Sequence, residues 1–153
     1  MQLTKEAMTE PPASQPVIDK FWESIPPVWR QTRTQIRDIA FEKFQMSVEQ
    51  FQVLRRIRRG STSVSALAEA SQTGLPAVSK AVESLVKRGL VARSTDPLDR
   101  RKVPLALTDE GQRVLQVIFG EAEAWLALRF EKLDAGESET ILKGLDSLHK
   151  AFS

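Results

Sequence analysis

The stretch between Ser63 and Gly89 constrains the fold more than any other part of this chain of 153 residues. Ser63 is a helix-capping residue ahead of a short helical run, residues 64–70. The turn SQTG follows at 71–74, and a second helix is expected from Leu75 to Arg88, with Gly89 as its left-handed stop. In that second helix Val78, Val82, Leu85 and Val86 recur at helical spacing and form an inward face. Lys80, Glu83, Ser84 and Lys87 are left outside. Two helices joined by a tight glycine-containing turn, the second one-sided, make a helix-turn-helix pattern. Many helical hairpins share that pattern, so its neighbours in sequence decide what it means.

Two strand candidates come next, residues 90–94 and 103–107, separated by the polar tip TDPLDRRK at 95–102. Strand, charged tip, strand directly after a recognition-type helix is a winged helix-turn-helix. Pro104 lacks a ladder donor, so the wing is expected to be a short edge hairpin there. Upstream, SVEQ at 47–50 is a capping box opening a helix to about Arg59, with Phe51, Leu54 and Ile57 buried and Gly60 as its stop. The cluster Arg55, Arg56, Arg58, Arg59 has two readings: a DNA-side face, or the cationic last turn that a helix macrodipole favours.

At the N-terminus, residues 1–16 carry three prolines and read as a flexible arm. A short helix is expected over 17–24, interrupted by Pro26 and Pro27, with a new helix from Pro27 to Phe44. At the other end Thr108 or Asp109 caps a long helix to about Leu133, and DAGE at 134–137 is a second capping box for a last helix to Phe152. The long helix is apolar along two stripes: Val114, Ile118, Ala122 and Trp125, and Leu115, Phe119, Leu126, Phe130 and Leu133. A helix apolar on two faces needs cover on two faces. A lone winged domain does not supply it, so a homodimer is expected, built from residues 18–29 and from the C-terminal helices around Trp125 and 141–152. The expected fold is mainly α with a small β-wing. Its expected parts are an arm (1–16), N-terminal dimerisation helices (17–46), a winged helix-turn-helix domain (47–108) and C-terminal dimerisation helices (109–153).

Composition removes several alternatives. There is no cysteine, so disulfides and thiolate metal sites lack their parts, and the one histidine, His149, is too little support for a zinc site or a serine–histidine triad. No metal, cofactor or catalytic activity is expected. No apolar run approaches the roughly 20 residues of a membrane span, and the first residues lack the order of a signal peptide, so no membrane contact and a cytoplasmic location are expected. Charge is unevenly placed. Residues 52–102 hold eleven Lys/Arg against four Asp/Glu, net +7, while the remainder holds eleven against sixteen, net −5. A basic middle between acidic flanks suits a polyanion partner.

The segment KRGLVARSTDPLDRRKVPLALTDEG, with the order helix, helix, helix-turn-helix, wing, two helices, resembles the MarR (multiple antibiotic resistance regulator) family of winged-helix transcription factors. The resemblance covers about residues 17–152. Asp99 and Arg101 match the family's aspartate–x–arginine pair, and Leu105, Leu107, Thr108 and Gly111 match the strand and helix start after it. The resemblance implies that Asp99 braces the wing and that Arg101 enters the DNA minor groove, flanked by Arg100 and Lys102. It also implies a dimeric regulator, usually a repressor, on near-palindromic double-stranded DNA, modulated by a small aromatic or anionic ligand. Candidate base or phosphate contacts around the recognition helix are Gln72, Thr73, Ala77, Ser79, Lys80 and Lys87. Lys80 either reads a guanine edge or only touches phosphate. The run LPAVSK departs from the family, which often has small hydroxyl residues there. Ligand candidates are Trp29, Phe51 and Arg33; the other reading of the aromatics is core and dimer packing. The alternative function is a winged-helix module that binds protein and not DNA.

Overall fold

The structure is a computed structural model describing residues 14–101 and 103–153. In chain order the elements are α1 (Gln15–Phe44), α2 (Val48–Arg58), α3 (Val64–Glu69), α4 (Leu75–Lys87), β1 (Val91–Arg93), β2 (Leu105–Leu107), α5 (Asp109–Phe130) and α6 (Ala135–Ala151). Two compact units divide within α1, between Thr34 and Gln35.

The first unit is the helical stretch up to Thr34. Phe21 and Trp22 meet edge to face, with centroids 5.5 Å apart. Two expectations are corrected here. Gln15 and Pro16, assigned to an arm, already belong to α1, and residues 1–13 lie outside the described residues. The break at Pro26 and Pro27 does not occur, because α1 runs through both. The prolines remove helical donors to the carbonyls one turn back, those of Trp22 and Glu23. Both residues are exposed, so solvent reaches the two acceptors and the helix continues.

The second unit holds the core. Met46, Leu54, Leu67, Leu85, Leu115 and Ile118 are fully buried at its centre. The local signals explain its elements. Ser47 accepts from the Gln50 N–H (3.1 Å) while the Gln50 side chain accepts from the Ser47 N–H (2.9 Å), starting α2. Ser63 accepts from the Ala66 N–H at 3.1 Å and starts α3. Gly89, at φ +71°, lets the chain leave α4 in a left-handed turn that only glycine enters without strain. The wing is antiparallel, pairing Val91 with Leu107 and Arg93 with Leu105. Pro104 stays outside the ladder but its carbonyl accepts from the Ser94 N–H (3.0 Å), so the hairpin is short, as a donorless residue requires. On its other edge Leu105 donates to the Thr62 carbonyl at 2.8 Å.

Thr108 ties the wing to α5. Its hydroxyl donates to the Gly89 carbonyl (2.6 Å) and accepts from the Gly111 N–H (3.0 Å), and its own N–H donates to the Leu90 carbonyl (3.2 Å). The first turn of α5 then lies so close to Leu90 that a Cβ on Gly111 would sit 2.1 Å from the Leu90 carbonyl oxygen. A side chain has no room there. One turn of α5 also carries an exposed pair: Arg113 donates to both oxygens of Glu110 (2.8 and 2.5 Å). This bonding holds the Glu110 carboxyl below its ordinary range and the Arg113 guanidinium above its own. Asp134 and Glu137 form the box that opens α6, and no residue of α6 is buried.

Candidate nucleic-acid interface

The turn before α4 is held from α2. Glu49, in the first turn of α2, accepts from the Ser71 hydroxyl (3.2 Å) and from the Thr73 hydroxyl (2.9 Å). The Thr73 N–H also donates to the Ser71 oxygen at 3.2 Å. Gly74 stands at the cap of α4 with φ +83° and makes no side-chain capping bond. Glu49 therefore anchors the turn ahead of α4 through its two hydroxyls, while the first N–H groups of α4 have no side-chain cap. Thr73 is exposed, as a DNA contact must be, but its hydroxyl is already engaged.

Helix α4 buries Val78, Ala81, Val82 and Leu85 and turns Lys80, Glu83 and Lys87 to solvent. Ala77 and Ser79 are half-buried, and Gln72 is exposed before the helix. Ser84, expected outside, accepts from the Gln50 amide at 2.8 Å. Arg88 donates to the Phe44 carbonyl (2.5 Å) and reaches the Gln50 side-chain oxygen at 3.5 Å. The end of α1, the start of α2 and the second half of α4 are thereby linked through Gln50 and Arg88, a role that the sequence does not signal.

At the wing tip two carboxylates fold the chain back on itself. Asp96 accepts from the Leu98 N–H at 2.9 Å, and Asp99 accepts from the Arg101 N–H at 3.0 Å. The Arg100 and Arg101 side chains are exposed and make no ion pair among the described residues. Lys102 lies outside the described residues.

The α2 arginines are spent internally instead. Arg56 donates to the carbonyls of Leu67 (3.4 Å) and Ala70, closing the end of α3. Arg55 lies over the Phe51 ring at 5.7 Å and Arg58 over Phe119 at 5.5 Å, so both cations are held against aromatic faces. These contacts are those of neither reading: they join α2 to the end of α3 and to the rings of Phe51 and Phe119.

The ligand candidates fall in different units, Trp29 and Arg33 in the first and Phe51 in the second. Phe51 is 6% exposed and packs against Phe119 with centroids 6.1 Å apart, so its ring belongs to the core. Trp29 and Arg33 are exposed on α1 in the first unit. A cleft of about 570 Å³ opens elsewhere, between the end of α2, β2 and α5, lined by Arg58, Thr62, Leu105, Gln112 and Gln116 among others. Among the described residues no cluster of three metal-ligating side chains occurs, and no helix is long and apolar enough to cross a membrane.

Comparison with known proteins agrees with this geometry. The MarR family model matches residues 46–103, which hold α2, α3, α4 and the first part of the wing. A Bacillus subtilis HTH-type transcriptional regulator, YdcH, is 32% identical over 134 residues, covering 80% of this chain and 87% of its own. The HTH-type transcriptional repressor NicR of Pseudomonas putida is 35% identical over 99 residues, 64% of this chain and 63% of its own. Among solved structures, transcriptional regulator Tm0710 of Thermotoga maritima superposes with a TM-score of 0.78 at 22% identity, covering 87% of this chain and 94% of that one. A helix-turn-helix with its wing, matched by the family model and by a relative along most of its length, places this chain in the MarR family of DNA-binding transcriptional regulators, which are not enzymes.

Proposed function

We propose that this regulator is a homodimeric repressor acting on a near-palindromic duplex in the cytoplasm, and that a small aromatic or anionic ligand modulates it. In this reading α4 of each copy enters a major groove. Each wing brings Arg100 and Arg101, with Lys102 next in sequence, to the phosphates and minor groove. Gln72, Ala77, Ser79, Lys80 and Lys87 are the further contacts of the turn and of α4, with Thr73 as a positioning residue through Glu49.

One observation carries the reading. The protein spends the arginines of α2 on its own carbonyls and rings, yet leaves Arg100, Arg101, Lys80 and Lys87 exposed and unpaired among the described residues. Asp99 meanwhile accepts a backbone N–H in the tip and does not neutralise the guanidinium beside it. Cations held this way suit a polyanion. The dimer is supported by Leu128, Phe130, Leu142, Leu145 and Phe152, apolar and exposed on the C-terminal helices. The repressor role is supported by similarity to NicR. The ligand is assigned to the cleft beside Arg58, whose volume falls in the usual range of small-molecule sites.

Titrating a fluorescent duplex at about 50 and 200 mM salt tests the central part. Phosphate contacts release counterions, so affinity is expected to fall by orders of magnitude between the two. Affinity that does not change with salt would contradict a DNA-binding wing.

A further inference from the structure

We propose that the first turn of α4 reads thymine: Leu75, with Ala77 beside it, recognises the C5-methyl of thymine in the major groove by apolar contact. This rests on the reading of α4 as the recognition helix and adds which base it prefers and through which atoms.

Leu75 is the first residue of α4 and is 54% exposed. Helical side chains lean toward the N-terminus, so its isobutyl group projects over the turn ahead of the helix and not into the core. The core position one turn on is taken by Val78, which is fully buried. Scattered exposed leucines are ordinary on protein surfaces. This one occupies the end of a recognition helix, where side chains meet base edges.

The hydrogen-bonding groups around it are mostly spent. The hydroxyls of Ser71 and Thr73 are bonded to Glu49, Gly74 has no side chain, and Leu75, Pro76 and Ala77 carry no polar side-chain atom. From residue 71 to 77 only the Gln72 amide is left as a side-chain donor for a base. A leucine set against the edge of a guanine or cytosine would strip water from polar atoms and return no hydrogen bond. Against thymine it meets the one apolar group that the major groove offers. Leu75 thus favours thymine twice, by contact with the methyl and by the penalty for its absence.

The test uses the full-length protein and duplexes that it selects from a randomised pool. Each thymine of the selected site is replaced in turn by deoxyuridine, which removes the methyl and nothing else. At the thymine facing α4 in each half-site, wild type is expected to lose about fourfold in affinity, the effect of returning one methyl-sized contact to water. Leu75→Ala should bind the thymine and uracil duplexes equally, and Leu75→Met, which keeps an apolar side chain, should retain the preference. The proposal is overturned if no uracil substitution affects wild type, or if Leu75→Ala keeps the wild-type ratio. Binding that persists at low salt in those cases leaves the recognition-helix reading standing. No binding of any duplex at low salt overturns both.

Discussion

The two halves of α5 are similarly apolar and lie in different surroundings. From Gly111 to Ala122 the helix is buried in the winged unit, with Val114, Leu115 and Ile118 at its centre. Beyond Ala122 the cover ends: Leu128 is 62% exposed, and Phe130 faces solvent as well. Helix α6 continues that character with Ile141, Leu142 and Leu145. The winged unit therefore covers the first half of α5 and leaves residues of the second half exposed. The first half fastens the wing through Thr108 and Gly111, and the second is the surface on which the proposed dimer would form.

Truncating one leucine in each half gives the widest separation. Leu115→Ala, inside the core, should cost about 2–5 kcal/mol of stability. Leu128→Ala should leave the unit's own stability within about 0.5 kcal/mol, as a surface change does, and weaken assembly instead. Urea unfolding of both, with their sedimentation at several concentrations, checks this. Equal losses in stability would erase the distinction.

The helix also holds a natural pair of glycines. Gly111→Ala drives a Cβ against the Leu90 carbonyl and should cost about 1–3 kcal/mol, with the wing loosened from α5. Gly120→Ala meets open space and should be neutral or stabilising, by up to about 1 kcal/mol of helix propensity. Thermal melts of the two variants suffice.

Arg101→Ala sharpens the functional side of the same division. Its side chain lies at an exposed tip, so stability and assembly should not change. Duplex affinity should fall about tenfold, about 1.4 kcal/mol, and the salt slope should become shallower by about one. Affinity equal to wild type at physiological salt would remove the wing from the interface. The smallest effect is expected for Glu49→Ala, which frees the hydroxyls of Ser71 and Thr73. It should cost about 1 kcal/mol of stability, in the range of a lost side-chain hydrogen bond. Amide exchange in residues 71–78 should quicken while that of α5 stays unchanged.

Much of this architecture is legible in the sequence because its signals are local. The boxes at 47–50 and 134–137, the stop at Gly89 and the carboxylates at the wing tip act within three residues of where they are written. What the sequence hides is pairing over distance. Thr73 looks like a free DNA contact until Glu49, 24 positions earlier, takes its hydroxyl. Arg56 looks like part of a basic face until the carbonyls closing α3 claim it. Phe51 reads as core or as pocket wall, because periodicity marks which way a ring points and not what lies opposite. Pro26 and Pro27 mislead for another reason: α1 runs through both, and the residues whose carbonyls they leave without a helical donor, Trp22 and Glu23, are exposed.

The division between a covered and an uncovered half is tested most directly by sedimentation equilibrium of the full chain at micromolar concentration. With the second half of α5 and α6 buried between two copies, the mass should be twice the 17.2 kDa of one chain. A well-folded species of 17.2 kDa would contradict it.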